Sequence, residues 1–217
     1  MEREYIYAWS RTERILHWAL VLAVAALTFS GFYIHWPFID GSAAGGIDVM
    51  AWMRFAHFAG AYVLIVAVIV RVYLAFASRF DADWRDFGPW RNLRGVPDMV
   101  GYYLFLKSSH RPYRRYNPLQ ALTYLFWLLL ILFFTVTGLA LYHGRIFGIV
   151  SAPAAFGWVN TWLGGESYTR LWHYLAMWLF LITIAVHVYM ATITTWVNRD
   201  HTLRAIITGY KVKARRA

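Results

Sequence analysis

Eight histidines are spread over a chain of 217 residues, and two of them, His173 and His187, stand 14 positions apart inside one apolar run. Fourteen residues is close to four helical turns, so both imidazoles leave the same helix face, roughly 21 Å apart along the axis. That separation sets one near each surface of a hydrocarbon layer about 30 Å thick. An ionisable side chain is costly to hold inside a membrane and points to a functional site. Two on one face point to two stacked ligand sites.

The elements that must position them are readable from composition. With 60% hydrophobic, 19% aromatic and 15% charged residues, the chain is poor material for a soluble globule. Four runs, residues 15–34, 55–77, 121–142 and 171–197, are long enough to span. The expectation is an all-α membrane protein, a single domain over residues 1–217 built as a bundle of four transmembrane helices. The net charge of +10 raises the question of nucleic acid. Seventeen of the 21 Lys and Arg, however, crowd the N-terminal stretch, the loop between the second and third runs, and the C-terminal stretch. Four spans bring those three stretches to one side, which the positive-inside bias makes the cytoplasm. Both termini are therefore expected inside, at an inner membrane, and the basic surplus is a topology signal with no nucleic-acid partner.

The chain has no cysteine, which excludes iron–sulfur clusters, covalently attached c-type haem and thiolate metal sites. Ala23-Val24-Ala25 resembles a signal-peptide cleavage triplet. It lies midway through a run too long for a signal core, and cleavage there would discard His17, so the first run reads as a true span. Residues 35–51 and 144–165 are outer connections. Residues 99–106 are apolar but too short to cross, and are expected along the cytoplasmic interface with Trp84 and Trp90 as anchors. Residues 202–210 fit a short surface helix.

Topology then sorts the histidines by depth. His17 falls near the inner end of the first helix, His57 near the outer end of the second, and the fourth carries His173 outside and His187 inside. The depths pair His17 with His187 and His57 with His173. Two imidazoles at matched depth, on separate helices of a bundle, make a cage for a six-coordinate haem iron. Neutral imidazole also escapes the penalty of a buried cation once iron takes its lone pair. Small residues beside these sites, Gly60 with Gly31, Ala56, Ala59 and Ala176, leave room for a porphyrin to approach the backbone. The alternative is a set of interfacial histidines within reach of water.

Arginines sharpen the pattern. Arg14, Arg54 and Arg170 each precede a histidine (His17, His57, His173) by three residues, which puts them on its face and one turn nearer the surface. A haem propionate needs a cation there, and guanidinium suits a carboxylate; ordinary snorkelling is the other account. Arg71 follows His57 by 14 and reaches the depth of the inner pair, with the same two accounts open. His35 and His143 end helices on the outer side, as a partner surface or as ligands in place of His57 or His173. His110 and His201 lie in polar segments.

Several stretches carry a family resemblance: Arg14-Ile15-Leu16-His17-Trp18, Arg54-Phe55-Ala56-His57-Phe58, Arg71-Val72-Tyr73, Tyr103-Leu104-Phe105-Leu106, Asn117-Pro118-Leu119, Thr137-Gly138-Leu139-Ala140-Leu141-Tyr142, Trp172-His173, His187-Val188-Tyr189-Met190-Ala191 and Gly209-Tyr210. In this order they cover nearly the whole chain, which resembles the b-type cytochrome subunit of membrane-bound nickel–iron hydrogenases, related to the formate dehydrogenase membrane subunit. The resemblance implies two haem b groups on His17, His57, His173 and His187. It also implies a periplasmic partner, the hydrogenase iron–sulfur small subunit with its large subunit, and quinone as acceptor. The chain departs from the family at Thr192-Ile193-Thr194-Thr195-Trp196, where an Arg-Glu-Asp type of run is usual.

The expected activity is electron transfer from an outer haem (His57/His173) to an inner haem (His17/His187) and on to quinone, with no hydrogen-splitting site of its own. Crossing about two-thirds of the layer against an inside-negative potential costs on the order of 1.5 kcal/mol per electron at 100 mV. The inner haem is therefore expected to have the higher reduction potential. The rivals are a stand-alone quinone-linked di-haem cytochrome, the membrane subunit of another iron–sulfur dehydrogenase, and a histidine-lined metal-ion permease. The last is disfavoured because no carboxylate lies deep in a span.

Overall fold

The computed structural model describes residues 5–39, 48–77, 84–88, 92–108, 116–198 and 201–212. Trp90, His110 and much of the basic middle loop lie outside the described residues.

Helix α1 (Arg11–His35) starts where Ser10, in extended conformation, accepts a hydrogen bond from the Glu13 backbone N–H at 3.0 Å. Helix α2 (Val49–Ala77) starts beside Asp48, whose carboxylate accepts from the Ala51 N–H at 2.8 Å. The short helix α3 (Val96–Tyr103) has a proline in its first turn. Helix α4 (Pro118–Ala140) opens on a full capping box between Asn117 and Gln120. Helix α5 (Ala152–Trp162) again carries a proline at its start, and α6 (Glu166–Asn198) and α7 (Thr202–Thr208) follow.

Four of these, α1, α2, α4 and α6, are long and apolar enough to cross a membrane, with mean hydropathy between 1.9 and 2.2 over their most apolar windows. Little of those windows is covered by the protein itself. Leu22, Ile69 and Ile182 are 69, 61 and 59% exposed. Water would penalise each such side chain by about 1.5–3 kcal/mol relative to burial, whereas hydrocarbon does not. The four expected apolar helices are thus present, each beginning three to six residues earlier than hydropathy alone marks; in α1, α2 and α4, polar caps at Ser10, Asp48 and Asn117 hold extra turns that apolarity does not register.

The chain divides into two compact units, residues 1–83 with 194–217, and residues 84–193. In the first, α1 and α2 pack side by side, with Gly60 closing the gap. A Cβ there would meet Leu27 Cγ at 3.1 Å and the Ala23 carbonyl oxygen at 3.4 Å. The two ends of the chain are tied together by an antiparallel pair of strands, β1 (Tyr5–Tyr7) and β4 (Tyr210–Val212), in the register Tyr5↔Val212 and Tyr7↔Tyr210. Helix α7 is held to α1 by Arg14, which donates to the Ile207 carbonyl at 2.6 Å, and by the Trp18 indole, which donates to Ile206 at 3.3 Å. Gly209 ends α7 at φ 90°, where any Cβ would also collide with the Tyr7 ring at 2.9 Å.

In the second unit, Met99, Tyr102 and Tyr103 of α3 are buried against Met190 and Leu119. The Asn117 amide donates to the Tyr103 hydroxyl at 3.0 Å. The stretch expected to lie along the interface is therefore a helix with one face packed on protein. The connection between the third and fourth spans contains a small hairpin, β2 (Arg145–Ile146) with β3 (Val150–Ser151), as well as α5. That helix has its own role: Asn160 donates to the Ala140 carbonyl at 2.9 Å and so caps α4.

Candidate functional site

Each of the two histidines expected near the outer surface meets a hydroxyl on a neighbouring helix of its own unit. His57 on α2 has Nδ1 3.0 Å from Ser30 Oγ on α1. His173 on α6 has Nδ1 2.8 Å from Thr137 Oγ1 on α4. The next residue in each case is glycine, and its bare Cα faces the same ring. A Cβ on Gly31 would meet His57 Cε1 at 3.3 Å, and one on Gly138 would meet His173 Cε1 at 3.5 Å. The Phe134 ring lies edge-on to His173 at 5.2 Å.

The other two histidines sit among aromatic rings. His17 meets Trp18 edge-on at 5.6 Å. His187 meets Trp127 at 5.2 Å and Tyr124 at 6.4 Å, and the Trp127 indole is fixed by donating to Thr183 Oγ1 at 2.8 Å. An apolar groove beside His187 is lined by Gln120, Thr123, Tyr124, Thr183, Val186 and Met190. All four imidazoles are half-buried, so each keeps an accessible edge.

The arginines are placed as follows. Arg14 is engaged with the Ile207 carbonyl. Arg71 stands 4.0 Å from the buried carboxylate of Glu13. Arg170 holds Glu166 one turn back at 2.6 Å, and Glu166 also faces His143 at 3.3 Å. Arg54 is exposed. Gly60 is occupied in the contact between α1 and α2. The acidic partners Glu13 and Glu166 and the hydroxyls of Ser30 and Thr137 were not among the residues singled out from sequence. The repeated dipeptide, Ser30-Gly31 and Thr137-Gly138, was the signal available for the latter two.

Residues 8–209 match the family model described as prokaryotic cytochrome b561. The chain belongs to this family. It is 31% identical over 216 residues to a protein of Azotobacter vinelandii named "Probable Ni/Fe-hydrogenase B-type cytochrome subunit", covering 95% of this chain and 88% of that one. A protein of the same name from Rhizobium leguminosarum bv. viciae is 30% identical, covering 98% and 91%. "Probable Ni/Fe-hydrogenase 1 B-type cytochrome subunit" of Escherichia coli (strain K12) is also 30% identical, covering 94% and 90%. A member of the cytochrome b561 family with four such helices is a multi-pass membrane protein, and a b-type cytochrome carries haem b.

The donor chemistry of this cytochrome fits haem. Ser30 Oγ lies 2.6 Å from the Ala26 carbonyl, and Thr137 Oγ1 lies 2.7 Å from the Phe133 carbonyl. A carbonyl only accepts, so each hydroxyl spends its single proton there and offers a lone pair to the imidazole. Nδ1 must then carry the ring proton, which leaves Nε2 with its lone pair, the form that ligates iron.

Proposed function

We propose that this cytochrome is a di-haem subunit that anchors a nickel–iron hydrogenase on the periplasmic face of the inner membrane and carries its electrons to quinone. The match of nearly the whole chain to relatives named as hydrogenase B-type cytochrome subunits carries this reading. Electrons leave the iron–sulfur small subunit, enter at the level of His57 and His173, and exit at the level of His17 and His187. Both chain termini face the cytoplasm, and the two units together form one cytochrome domain.

Bound haem supplies a one-electron carrier at each level. The protein supplies the rest. His57 and His173 would hold one haem, and His17 and His187 would hold the other, the pairing following from their matched depths in the sequence. Arg54 is free to reach outward from the turn before His57, as a propionate partner or toward an acidic partner surface. Trp127, locked by Thr183, fixes the His187 ring edge-on and keeps that ring from swinging into lipid.

Purification of the chain with its associated proteins, followed by an optical spectrum and a haem count, tests the proposal. Two haem b per chain and a co-purifying iron–sulfur hydrogenase subunit are expected, and His187→Ala is expected to remove one haem and leave the other. A colourless protein, or a His187→Ala variant retaining both haems, overturns the haem assignment. A formate dehydrogenase subunit in place of the hydrogenase, or no iron–sulfur partner at all, overturns the partner and leaves the di-haem core standing.

A further inference from the structure

The same two-residue seat occurs once in each unit. Ser30-Gly31 on α1 receives the His57 ring, and Thr137-Gly138 on α4 receives the His173 ring. In each, the hydroxyl faces Nδ1, and a Cβ on the adjacent glycine would stand 3.3 Å (Gly31) or 3.5 Å (Gly138) from Cε1. Neither hydroxyl is open to water, since Ser30 is 0% and Thr137 1% exposed. Water therefore has no access to either hydroxyl to compete for Nδ1.

We propose that Ser30 and Thr137 are positioning residues that set the reduction potential of the haem bound by His57 and His173. This rests on the reading that those two imidazoles share one iron. A hydroxyl lone pair accepting from Nδ1–H draws the proton outward and enriches the ring in electron density. Nε2 then becomes a stronger donor, which favours ferric over ferrous iron and lowers the potential. Two such bonds, one on each imidazole, would act in the same direction. The consequence is a low-potential carrier at the level where electrons enter, which favours their onward passage against the membrane field.

The test is a potentiometric titration of the purified cytochrome complex, followed optically and by the low-spin ferric EPR signals, for the wild type, Ser30→Ala, Thr137→Val, their combination, and Thr137→Ser. With both haems retained, the combination is expected to raise one haem component by roughly a tenfold change in its ferric-to-ferrous ratio, about 59 mV for a one-electron couple. Each single variant gives part of the shift, the second haem is unmoved, and Thr137→Ser, which keeps the hydroxyl, titrates as the wild type. Unmoved potentials in Ser30→Ala and Thr137→Val, or a Thr137→Ser shift equal to that of Thr137→Val, overturn the assignment. The single variants decide it even if the combination does not accumulate. Absence of haem from the wild type itself would refute the functional reading instead, and the two failures are therefore distinct.

Discussion

Arg71 and Glu13 offer the sharpest test of what holds α1 and α2 of the first unit together at one end. The Glu13 side chain is 3% exposed and that of Arg71 is 23%, with Nη2 and Oε1 4.0 Å apart. Two unit charges at that distance attract by about 4 kcal/mol at an effective dielectric constant of 20. Removal of one partner from a buried pair typically costs about 3–5 kcal/mol, because the charge that remains loses an attraction that offset its desolvation, whereas replacing both is far less damaging. Arg71→Gln and Glu13→Gln should therefore each destabilise the protein by roughly 3 kcal/mol, and the double variant by much less than the sum. The assay is a double-mutant cycle on detergent-solubilised protein, with unfolding followed by denaturant and by retention of the haem absorption. The same cycle separates the two accounts of Arg71. If its main duty is to Glu13, the double variant regains both stability and haem content. If its main duty is to a propionate of the inner haem, one haem stays depleted in both Arg71 variants whatever stands at position 13. Strict additivity of the two substitutions would refute the coupling drawn from the 4.0 Å contact.

The two glycine seats should respond unequally to a methyl group. Gly31→Ala forces Cβ to 3.3 Å from His57 Cε1 and should displace that ring by a few tenths of an ångström, broadening or shifting one low-spin EPR signal, while Gly138→Ala at 3.5 Å is an ordinary contact and should leave the spectrum unchanged. Gly209→Ala meets both a left-handed backbone and the Tyr7 ring, and should loosen the β1–β4 tie by about 1–2 kcal/mol, read as faster amide exchange at Tyr5–Tyr7 and Tyr210–Val212 with an unaltered haem spectrum.

The four apolar helices were legible because long apolar runs are a sustained signal, and so was the placing of His173 and His187 on one helix. Apolar runs of twenty residues have one physical meaning, and a 14-residue spacing survives small errors in helix boundaries. Pairs of residues distant in sequence were not legible. Three-residue strands at the two chain ends have no period to detect, and their partners lie about 200 positions away. Glu13 and Arg71 each look like end-of-helix charges facing water until α1 and α2 are laid side by side. Helix α5 was hidden by its glycine and tryptophan content, and the cap it places on Ala140 and the burial of Ala152 and Val159 explain its presence.

Ser30 and Thr137 were the hardest to read. A hydroxyl in an apolar helix most often returns its proton to the carbonyl one turn back, and both residues do so. That local bond makes them look like inert filler, yet it is the reason they matter. By spending its own proton on the backbone, each hydroxyl becomes a pure acceptor and dictates the tautomer of the imidazole beside it. An asparagine or a water in that place would retain donors and leave the ring's protonation open. A histidine in a membrane helix is thus a poor predictor of a ligand by itself. One whose Nδ1 faces a buried, proton-spent hydroxyl is committed to offering Nε2.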